Sequence, residues 1–500
     1  MKEQSKKYLV ISIVILFLLL ILALILRQYY QEKVKTYLVT LIEFNLRDDP
    51  DSVAENVGDT QVGKTYRILD TVVGSPTIYG NLWYKIETNP KTGESAYIVK
   101  SSTNQQVLST KDAELLNNLN LNESFNVSSG DFGHVLKKFP ESYHKALIIL
   151  HYLQPEWTFE PFYAAHTWDD VLAAETSKED KNLVQYSEDN EYLAKFAWMV
   201  KNDTVYDGNN WVPANKEAIA YYMDPRNFLN YEGIFQFMDL SSSGERSSES
   251  VKSIFSGNEY LLSFLEFVMD GAKDYGMLPE AVASRIMQEV AIGDDVSISA
   301  KGLINHKQPP LLDGSMSPGF LSQKEQLSQL SKLEARNALS LEESKLLEKA
   351  KKGEIVYQEP QKFYNFFNIG AYPDTSVPMG ALLNGSRYAA GLFEDEGSHR
   401  YENLLLPWTS PERAIKGGIY FIKNDYIALG QRTAYLQRFD LLSGYYNHQY
   451  MQALFAANTE GQRLYQAWKS SGASWENLNF IIPIFENMPE STLPREDLLN

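Results

Sequence analysis

The sequence predicts a mainly α-helical chain with a small all-β domain near its N-terminus and one N-terminal transmembrane helix. Three observations predict this fold class. Apolar residues recur at helical spacing over most of 136–495, with short strand-like runs at 157–162 and around 480–485. β-Branched and aromatic runs separated by turn residues cluster in 57–105, and the 19 residues of 8–26 carry no charge.

Composition narrows the functional classes. The 500 residues carry a formal net charge of −18, from 46 Lys and Arg against 64 Asp and Glu, and they include no Cys. This acidic balance argues against a nucleic-acid partner, because phosphate binding needs clustered Lys and Arg. The lack of Cys excludes disulfides, Cys-ligated metals and thiol nucleophiles. The sequence shows no zinc-binding helix and no phosphate-binding loop, so we expect no metal and no cofactor.

The uncharged segment 8–26 lies between Lys7 and Arg27. About 20 apolar residues, rising ~1.5 Å each, span a ~30 Å hydrocarbon core, and no small-residue cleavage pattern follows the segment. We therefore expect an uncleaved membrane anchor, with residues 1–7 as a cytoplasmic tail. The flanking charges do not settle its orientation, because Lys and Arg lie on both sides.

The next three segments differ in pattern. Residues 27–56 mix apolar and charged residues and are interpreted as a stalk, which we expect to be helical. In 57–105, Trp83-Tyr84-Lys85-Ile86 followed by Ser95-Ala96-Tyr97-Ile98 resembles the bacterial SH3-like wall-binding domain, although the usual Gly before the second Tyr is absent. The alternative is a small barrel that only spaces the next domain from the membrane. Residues 106–135, rich in Asn and Ser, are expected to be a linker.

Within the domain at 136–495, the segment 322–354 consists almost entirely of Leu, Lys, Glu, Ser, Gln and Ala. Two Ser-x-x-Glu capping boxes, the second at Ser340 and Glu343, predict two helices, and Gly353 fits a helix C-cap. We expect an inserted helical hairpin. It is either a solvated insertion or an arm that binds a partner, which would be a membrane protein.

Glu289 is a candidate acid on physical grounds. Pro279 suits the first turn of a helix, and Val282, Ile286 and Glu289 share one face, so the carboxyl lies in the last turn on the apolar side. Burial and the negative end of the helix raise a carboxyl pKa, and a neutral carboxyl can protonate a leaving oxygen. The alternative is a Glu paired with an Arg in the core.

A second candidate is the aromatic segment 364–372, YNFFNIGAY. Aromatic faces stack on sugar rings, and the Asn amides can bind hydroxyl and acetamido groups. The alternative is a core strand or turn.

Together these features resemble the bacterial endo-β-N-acetylglucosaminidases of glycoside hydrolase family 73, over about 140–490. The similar blocks are the Asp-Pro-Arg-Asn-Phe-Leu run from Asp224, Gln288-Glu289 at a helix end, the Tyr-Asn-x-Phe-x-Ile-Gly-Ala run from Tyr364, the run from Gln431 to Asp440, and His448-Gln449-Tyr450. The resemblance implies a lysozyme-like α+β domain beside a long groove. It also implies cleavage of the peptidoglycan β-1,4 bond between N-acetylglucosamine and N-acetylmuramic acid.

The resemblance implies that Glu289 is the proton donor and that Tyr364 faces the reaction centre. The expected substrate-binding residues are Asn365, Phe366, Asn368 and Tyr372. For the second catalytic group, Glu359 ranks ahead of Glu354 and Asp313, and the acetamido group of the substrate is the alternative nucleophile.

Two other functions fit parts of the sequence. A lytic transglycosylase also uses one Glu on a lysozyme-like fold, and a non-catalytic wall-binding scaffold would account for the anchor and the β domain. Because peptidoglycan is extracellular, we expect a single-pass protein in the cell membrane of a Gram-positive bacterium. Its catalytic domain would lie outside the cell, with glycan strands as the partner.

Overall fold

The structure, a computed structural model, describes most of residues 35–490. Within this range it leaves out residues 78, 119–130, 195, 207–209, 242–245, 305–322, 355–361, 373–379, 443–445, 447 and 472–477. The described chain forms an N-terminal antiparallel sheet followed by a mainly helical region.

Residues 36–109 form a seven-stranded antiparallel sheet with the order β3-β2-β6-β5-β4-β1-β7. The strands are β1 (Thr36–Thr40), β2 (Asn45–Arg47), β3 (Asn56–Asp59), β4 (Thr65–Thr77), β5 (Gly80–Asn89), β6 (Glu94–Val99) and β7 (Gln105–Ser109). Leu38, Tyr84 and Ile86 are buried in its core; Tyr84 and Ile86 are two positions apart on β5, and alternate residues of a strand point to the same face.

The predicted fold class is wrong for this region. Strands β1 and β2 lie within 27–56, where we predicted a helical stalk, and the sheet has seven strands instead of a small SH3-like domain. The short run Thr36–Thr40 is compatible with a helix or a strand when read alone. Its pairing decides the outcome, since Leu38 lies opposite Tyr66 of β4 and Val107 of β7.

The predicted transmembrane helix and membrane location are not upheld. In the part of the chain that the structure describes, no helix combines the length and the apolar character needed to cross a membrane. The predicted tail and anchor, residues 1–26, lie outside the described residues. We therefore correct the transmembrane part of the fold class and the single-pass location in the cell membrane, both of which required that apolar run to form a spanning helix.

The region from residue 110 onward is mainly helical. Its helices are α1 (Thr110–Asn117), α2 (Asp131–Leu136), α3 (Glu141–Leu153), α4 (Trp168–Glu175), α5 (Glu191–Ala194), α6 (Lys216–Met223), α7 (Ser248–Ile254), α8 (Glu259–Leu262), α9 (Leu265–Tyr275), α10 (Pro279–Val290), α11 (Gln323–Glu334), α12 (Leu341–Lys351), α13 (Gly380–Ala389), α14 (His399–Asn403), α15 (Pro411–Ile422), α16 (Ala434–Arg438) and α17 (Ala456–Ser471). Shorter turns are 3-10 helices at Glu179–Lys181, Ala197–Met199, Pro225–Phe228 and Ile234–Phe237, and a π-helix at Lys423–Ile427. The strands of this region are β8 (Thr158–Thr167), β9 (Leu183–Gln185), β10 (Trp211–Pro213), β11 (Ala291–Ile292), β12 (Asp295–Val296), β13 (Leu303–Ile304), β14 (Lys362–Phe363) and β15 (Asn479–Glu486).

Strands β8 and β15 pair in parallel and join the two ends of the helical region. Phe480 of β15 is fully buried and lies 4.9 Å from Trp157 and 5.6 Å from Phe235, measured between ring centroids. Helix α10 packs against α7, α9 and α17. It is therefore held on several sides by its neighbours.

The sheet and the helical region share one core. Val39 of β1 and Leu108 of β7 belong to the same buried apolar cluster as the residues of α3. Polar contacts add to it: the Asn104 side chain donates to Asn227 Oδ1 at 3.0 Å, and Tyr231 N donates to Gln106 Oε1 at 2.5 Å. The range 106–135, which we expected to be a linker, thus contains most of β7 as well as α1 and α2.

The structure has a helical hairpin within the predicted insertion 322–354. Its helices α11 and α12 pack together and bury Leu330 and Leu347, and Lys351 Nζ lies 2.6 Å from Glu334 Oε1. The capping box predicted at Ser340 and Glu343 is present in full.

Candidate active site

Helix α10 places Glu289 in its last turn, as its sequence pattern predicts. Pro279 occupies the first turn, and Val282 and Ile286 are almost fully buried on the face that Glu289 continues. The helix ends at Val290, where the chain turns into β11. Glu289 therefore stands at the junction of the core helix and a short β hairpin.

The two carboxyl oxygens of Glu289 lie in different environments. Asn368 Nδ2 donates to Glu289 Oε2 at 3.1 Å and to the Glu289 main-chain oxygen at 2.7 Å. Oε1 is buried and makes no hydrogen bond within the described residues. A buried carboxyl oxygen without a partner is costly when it is charged, which favours the neutral acid.

Burial raises the pKa of Glu289 to about 7, well above its ordinary value of 4.5. The Arg285 cation and the hydrogen bond from Asn368 act in the opposite direction, and the Glu460 carboxylate adds to the rise. Near neutral pH the carboxyl thus exists in both protonation states. That is the condition a general acid needs.

Arg285, one turn before Glu289, is paired elsewhere. Its guanidinium binds both carboxylate oxygens of Glu460 and donates to Gln437 Oε1 at 2.8 Å, and it lies 4.2 Å from the centroid of the Tyr450 ring. All four of these side chains are buried. The alternative in which Glu289 is itself the partner of a core Arg does not describe this structure, because Glu460 holds that position.

The aromatic segment 364–372 forms a compact loop after β14. Tyr364 is half-buried, and its main-chain N donates to Trp408 O at 3.0 Å. Its ring covers Gly302, where an added Cβ would lie 3.0 Å from the ring. Within the described residues no hydrogen bond joins Tyr364 to Glu289.

The four predicted substrate-binding residues separate into different environments. Asn365 is buried, and its side chain binds Ile369 O, Gly385 O and two main-chain N–H groups of its own loop. Phe366 is fully buried and packs edge-on against Phe264, so it is a core residue. Asn368 contacts Glu289, and Tyr372 is 76 % exposed. Tyr372 alone of the four combines a large ring with an open surface.

Of the three proposed second carboxylates, the structure describes Glu354 alone. Glu359 and Asp313 lie outside the described residues. Glu354 is exposed at the end of the hairpin insertion. The sequence reasoning missed Arg285 and Glu460. The four-residue spacing from Glu289 could have indicated Arg285, whereas Glu460 carries no signal in the sequence.

The described residues contain no group of three or more His, Asp or Glu side chains arranged to hold a metal ion. A cavity of about 390 Å³ lies between α7, α10 and α17, and Glu232, Met287 and Arg463 are among its lining residues. Met287 and Glu289 are two positions apart on α10, about 200° around the helix, so the cavity does not include the Glu289 carboxyl.

No protein-family model matches the chain. A bifunctional autolysin of Staphylococcus epidermidis is 24 % identical over 293 residues, which cover 58 % of this chain and 16 % of that protein. Another bifunctional autolysin from the same species is 24 % identical over 279 residues, with 56 % of this chain and 16 % of that protein covered. The chain thus matches only 16 % of the length of these curated relatives.

Two solved structures from S. aureus are also similar. Glucosaminidase B is 16 % identical with a TM-score of 0.36, covering 66 % of this chain and 95 % of that one. Autolysin E in complex with the muropeptide NAM-L-Ala-D-iGlu is 17 % identical with a TM-score of 0.38. The match covers 65 % of this chain and 98 % of the autolysin E chain. TM-scores this low do not establish a common fold.

Proposed function

We propose that this chain is a glycoside hydrolase that cleaves peptidoglycan at the β-1,4 bond between N-acetylglucosamine and N-acetylmuramic acid, with Glu289 as the general acid. The observation that carries the proposal is the state of the Glu289 carboxyl. Its pKa is raised to about 7, Oε2 is held by Asn368, and Oε1 has no hydrogen-bond partner among the described residues. A proton on Oε1 is available for the leaving oxygen of a glycosidic bond.

The surroundings of Glu289 also suit the carboxylate that remains after proton transfer. Asn368 already donates to Oε2, and the nearby Arg285 cation favours the charged form. Because Oε1 is closed to water in this structure, glycan binding must shift neighbouring side chains before the leaving oxygen reaches it. Such tightening on substrate binding is common in active sites.

The remaining roles follow the resemblance to family 73. We assign Tyr364 to the reaction centre and the exposed ring of Tyr372 to stacking on a sugar. Glu359 stays the proposed second carboxylate, and the substrate acetamido group is the alternative nucleophile. The names of the curated relatives, bifunctional autolysins, support a substrate in the cell wall.

The experiment incubates the purified full chain with peptidoglycan and identifies the products by mass spectrometry. We expect fragments ending in reducing N-acetylglucosamine. Products with 1,6-anhydro-muramic acid would instead identify a lytic transglycosylase, and no cleavage would favour a wall-binding scaffold.

Glu289→Gln tests the site, and we expect it to lower kcat by at least about 100-fold, since general acid catalysis contributes about 10²–10⁴-fold. Glu280→Gln is the matched control, because Glu280 is a buried carboxyl on the same helix that accepts from Ser250 Oγ at 2.6 Å, away from Asn368. Full activity in Glu289→Gln would overturn the assignment.

A further inference from the structure

The side-chain amide of Asn368 has only one orientation that its neighbours permit. Its Nδ2 faces the main-chain oxygen of Glu289 at 2.7 Å, and a carbonyl oxygen can only accept a hydrogen bond. If the amide were turned over, its Oδ1 would face that carbonyl, and two acceptors would oppose each other. The N–H group must therefore point at Glu289.

Ser299 fixes the other end of the same amide. Its Oγ lies 3.2 Å from Asn368 Oδ1, which can only accept, so the serine hydroxyl is the donor. Ser299 is buried, and its Oγ also lies 3.1 Å from Ser297 Oγ. A pair of hydroxyls, of which that of Ser299 is buried and that of Ser297 is partly buried, thus stands behind Asn368 and keeps the amide from rotating.

The backbone of Asn368 is fixed as well. Its φ of 49° lies in the left-handed region, where Asn is tolerated better than most residues. Asn365 holds the loop on both sides of this residue, because its Oδ1 accepts from Phe367 N at 3.3 Å and from Ile369 N at 3.2 Å. The loop conformation therefore delivers the amide to Glu289.

These contacts leave no N–H of Asn368 for a sugar. An amide carries two N–H bonds, and the two acceptors within reach of Nδ2 are the main-chain oxygen and Oε2 of Glu289. The residue type of Asn368 alone predicts a substrate-binding role. The geometry favours a role that acts through Glu289.

We infer that Asn368, oriented by Ser299, is a positioning residue that keeps Oε2 of Glu289 as a hydrogen-bond acceptor and so places the acidic proton on Oε1. In a neutral carboxyl the carbonyl oxygen is the better acceptor, so a donor at Oε2 assigns the hydroxyl to the other oxygen. This inference rests on the proposed role of Glu289 as the acid. It adds which oxygen delivers the proton and which residues decide it.

Four groups act on the Glu289 carboxyl, and a test must change one of them while the other three stay constant. Arg285 lies on the same helix, Glu460 on α17 and Tyr450 beside the Arg285 guanidinium, and Asn368 reaches in from the loop. Only Asn368 donates a hydrogen bond to the carboxyl within the described residues. Changing it alone leaves the Arg285–Glu460 ion pair intact.

The test uses Asn368→Gly, because glycine keeps the left-handed backbone while removing the amide. A hydrogen bond to the charged form lowers a carboxyl pKa, so its loss raises the pKa of Glu289. We expect the alkaline limb of the pH–kcat profile to move to higher pH. We also expect kcat to fall by about 10-fold or more at unchanged KM, since the proton is no longer held on Oε1.

Ser299→Ala is the second variant, and it leaves the amide in place without its orienting hydroxyl. We expect a smaller loss in kcat than for Asn368→Gly, again at unchanged KM. Ser386→Ala is the matched control, because Ser386 is also buried and its Oγ has no partner in the described structure. An increase in KM with an unshifted pH profile in Asn368→Gly would overturn the inference and restore a substrate-binding role.

A readout without turnover separates this inference from the proposed function. In protein labelled with ¹³C at the glutamate carboxyls, the signal that is missing from Glu289→Gln reports the titration of Glu289. Its midpoint should rise in Asn368→Gly. A wild type that does not cleave peptidoglycan would defeat the proposed function, whereas an unmoved midpoint would defeat the role of Asn368.

Discussion

At the scale of single residues, the site depends on two opposing effects at Glu289. Burial disfavours the carboxylate, whereas Arg285 and Asn368 favour it. Glu460 offsets part of the influence of Arg285, because its two carboxylate oxygens bind Nε and Nη2 on one edge of the guanidinium. Burial therefore prevails, and the pKa of Glu289 rises to about 7.

This balance predicts the pH dependence of hydrolysis. A general acid works in its protonated form, so kcat should be high below pH 7 and fall as the pH rises through about 7. The measurement is kcat for peptidoglycan fragments from pH 5 to 9 at constant ionic strength. A rate that keeps rising up to pH 9 would contradict the role of Glu289.

The same raised pKa predicts a pH-dependent stability. The folded pKa of about 7 lies above the ordinary value of 4.5, so the fold prefers the neutral acid. The contribution of the neutral Glu289 to the free energy of unfolding is complete below pH 4.5. It is lost as the pH rises through about 7, and the free energy of unfolding then falls by about 3 kcal/mol in total.

Glu289→Gln should therefore raise the free energy of unfolding at pH 8.5 relative to the wild type, and should change it little at pH 4.5. Urea titrations at the two pH values measure this difference. Glu249→Gln, at an exposed glutamate of α7, is the control. An equal effect of Glu289→Gln at both pH values would contradict the prediction.

At the scale of elements, helix α15 supports the loop that carries Asn365 and Asn368. Gly418 of α15 lies against the ring of Phe367, and a Cβ at this position would come within 2.1 Å of it. The close approach of the helix to the loop therefore needs a glycine here. Tyr450 completes the support, since its hydroxyl donates to Phe367 O at 2.6 Å.

Gly418→Ala should lower the free energy of unfolding by about 1–3 kcal/mol, because overpacking forces the loop to move. It should also lower kcat, since Asn368 moves with the loop. Chemical unfolding and kcat measure the two effects. Glu412→Ala, at an exposed position of the same helix, should change the stability by less than about 0.5 kcal/mol. A fully active and stable Gly418→Ala would contradict the prediction.

The sequence allowed some elements to be predicted and not others, for physical reasons. The bounds of α10 from Pro279 to Val290 and the capping box of α12 were predictable, because their signals lie within one or two helical turns. The strand β1 was not, because its partners lie far away in the chain. The same limit applies to the site: the Glu289 position was readable from its helix face, but its contact with Asn368 needs a loop 79 residues later.

At the scale of the whole molecule, the N-terminal sheet belongs to the body that holds the site. Val39, Leu108 and Leu116 are buried in the same cluster as Tyr143 and Leu147 of α3. The sequence pattern could not distinguish this arrangement from a mainly α chain with a separate small domain. An apolar strand has the same pattern whether it packs inside its own domain or against a neighbouring region.

A chain shortened to residues 131–500 should therefore have a clearly lower melting temperature than the full chain. Without the sheet, apolar residues of α3 are exposed to water. A chain that starts at residue 35 is the control, since it keeps every contact described above. Differential scanning calorimetry measures both. Equal melting temperatures would show that the sheet and the helical region are stable independently.

The pairing of β8 with β15 also bears on how the chain reaches its folded state. Thr158 and Asn479, which share a hydrogen bond, are 321 residues apart in the chain. Phe480 fills the centre of the aromatic cluster, so that cluster cannot close before β15 has left the ribosome. Contacts of such long range form slowly. The nascent chain must therefore keep this aromatic core unfinished until β15 has emerged, long after β8 and α10 have been made.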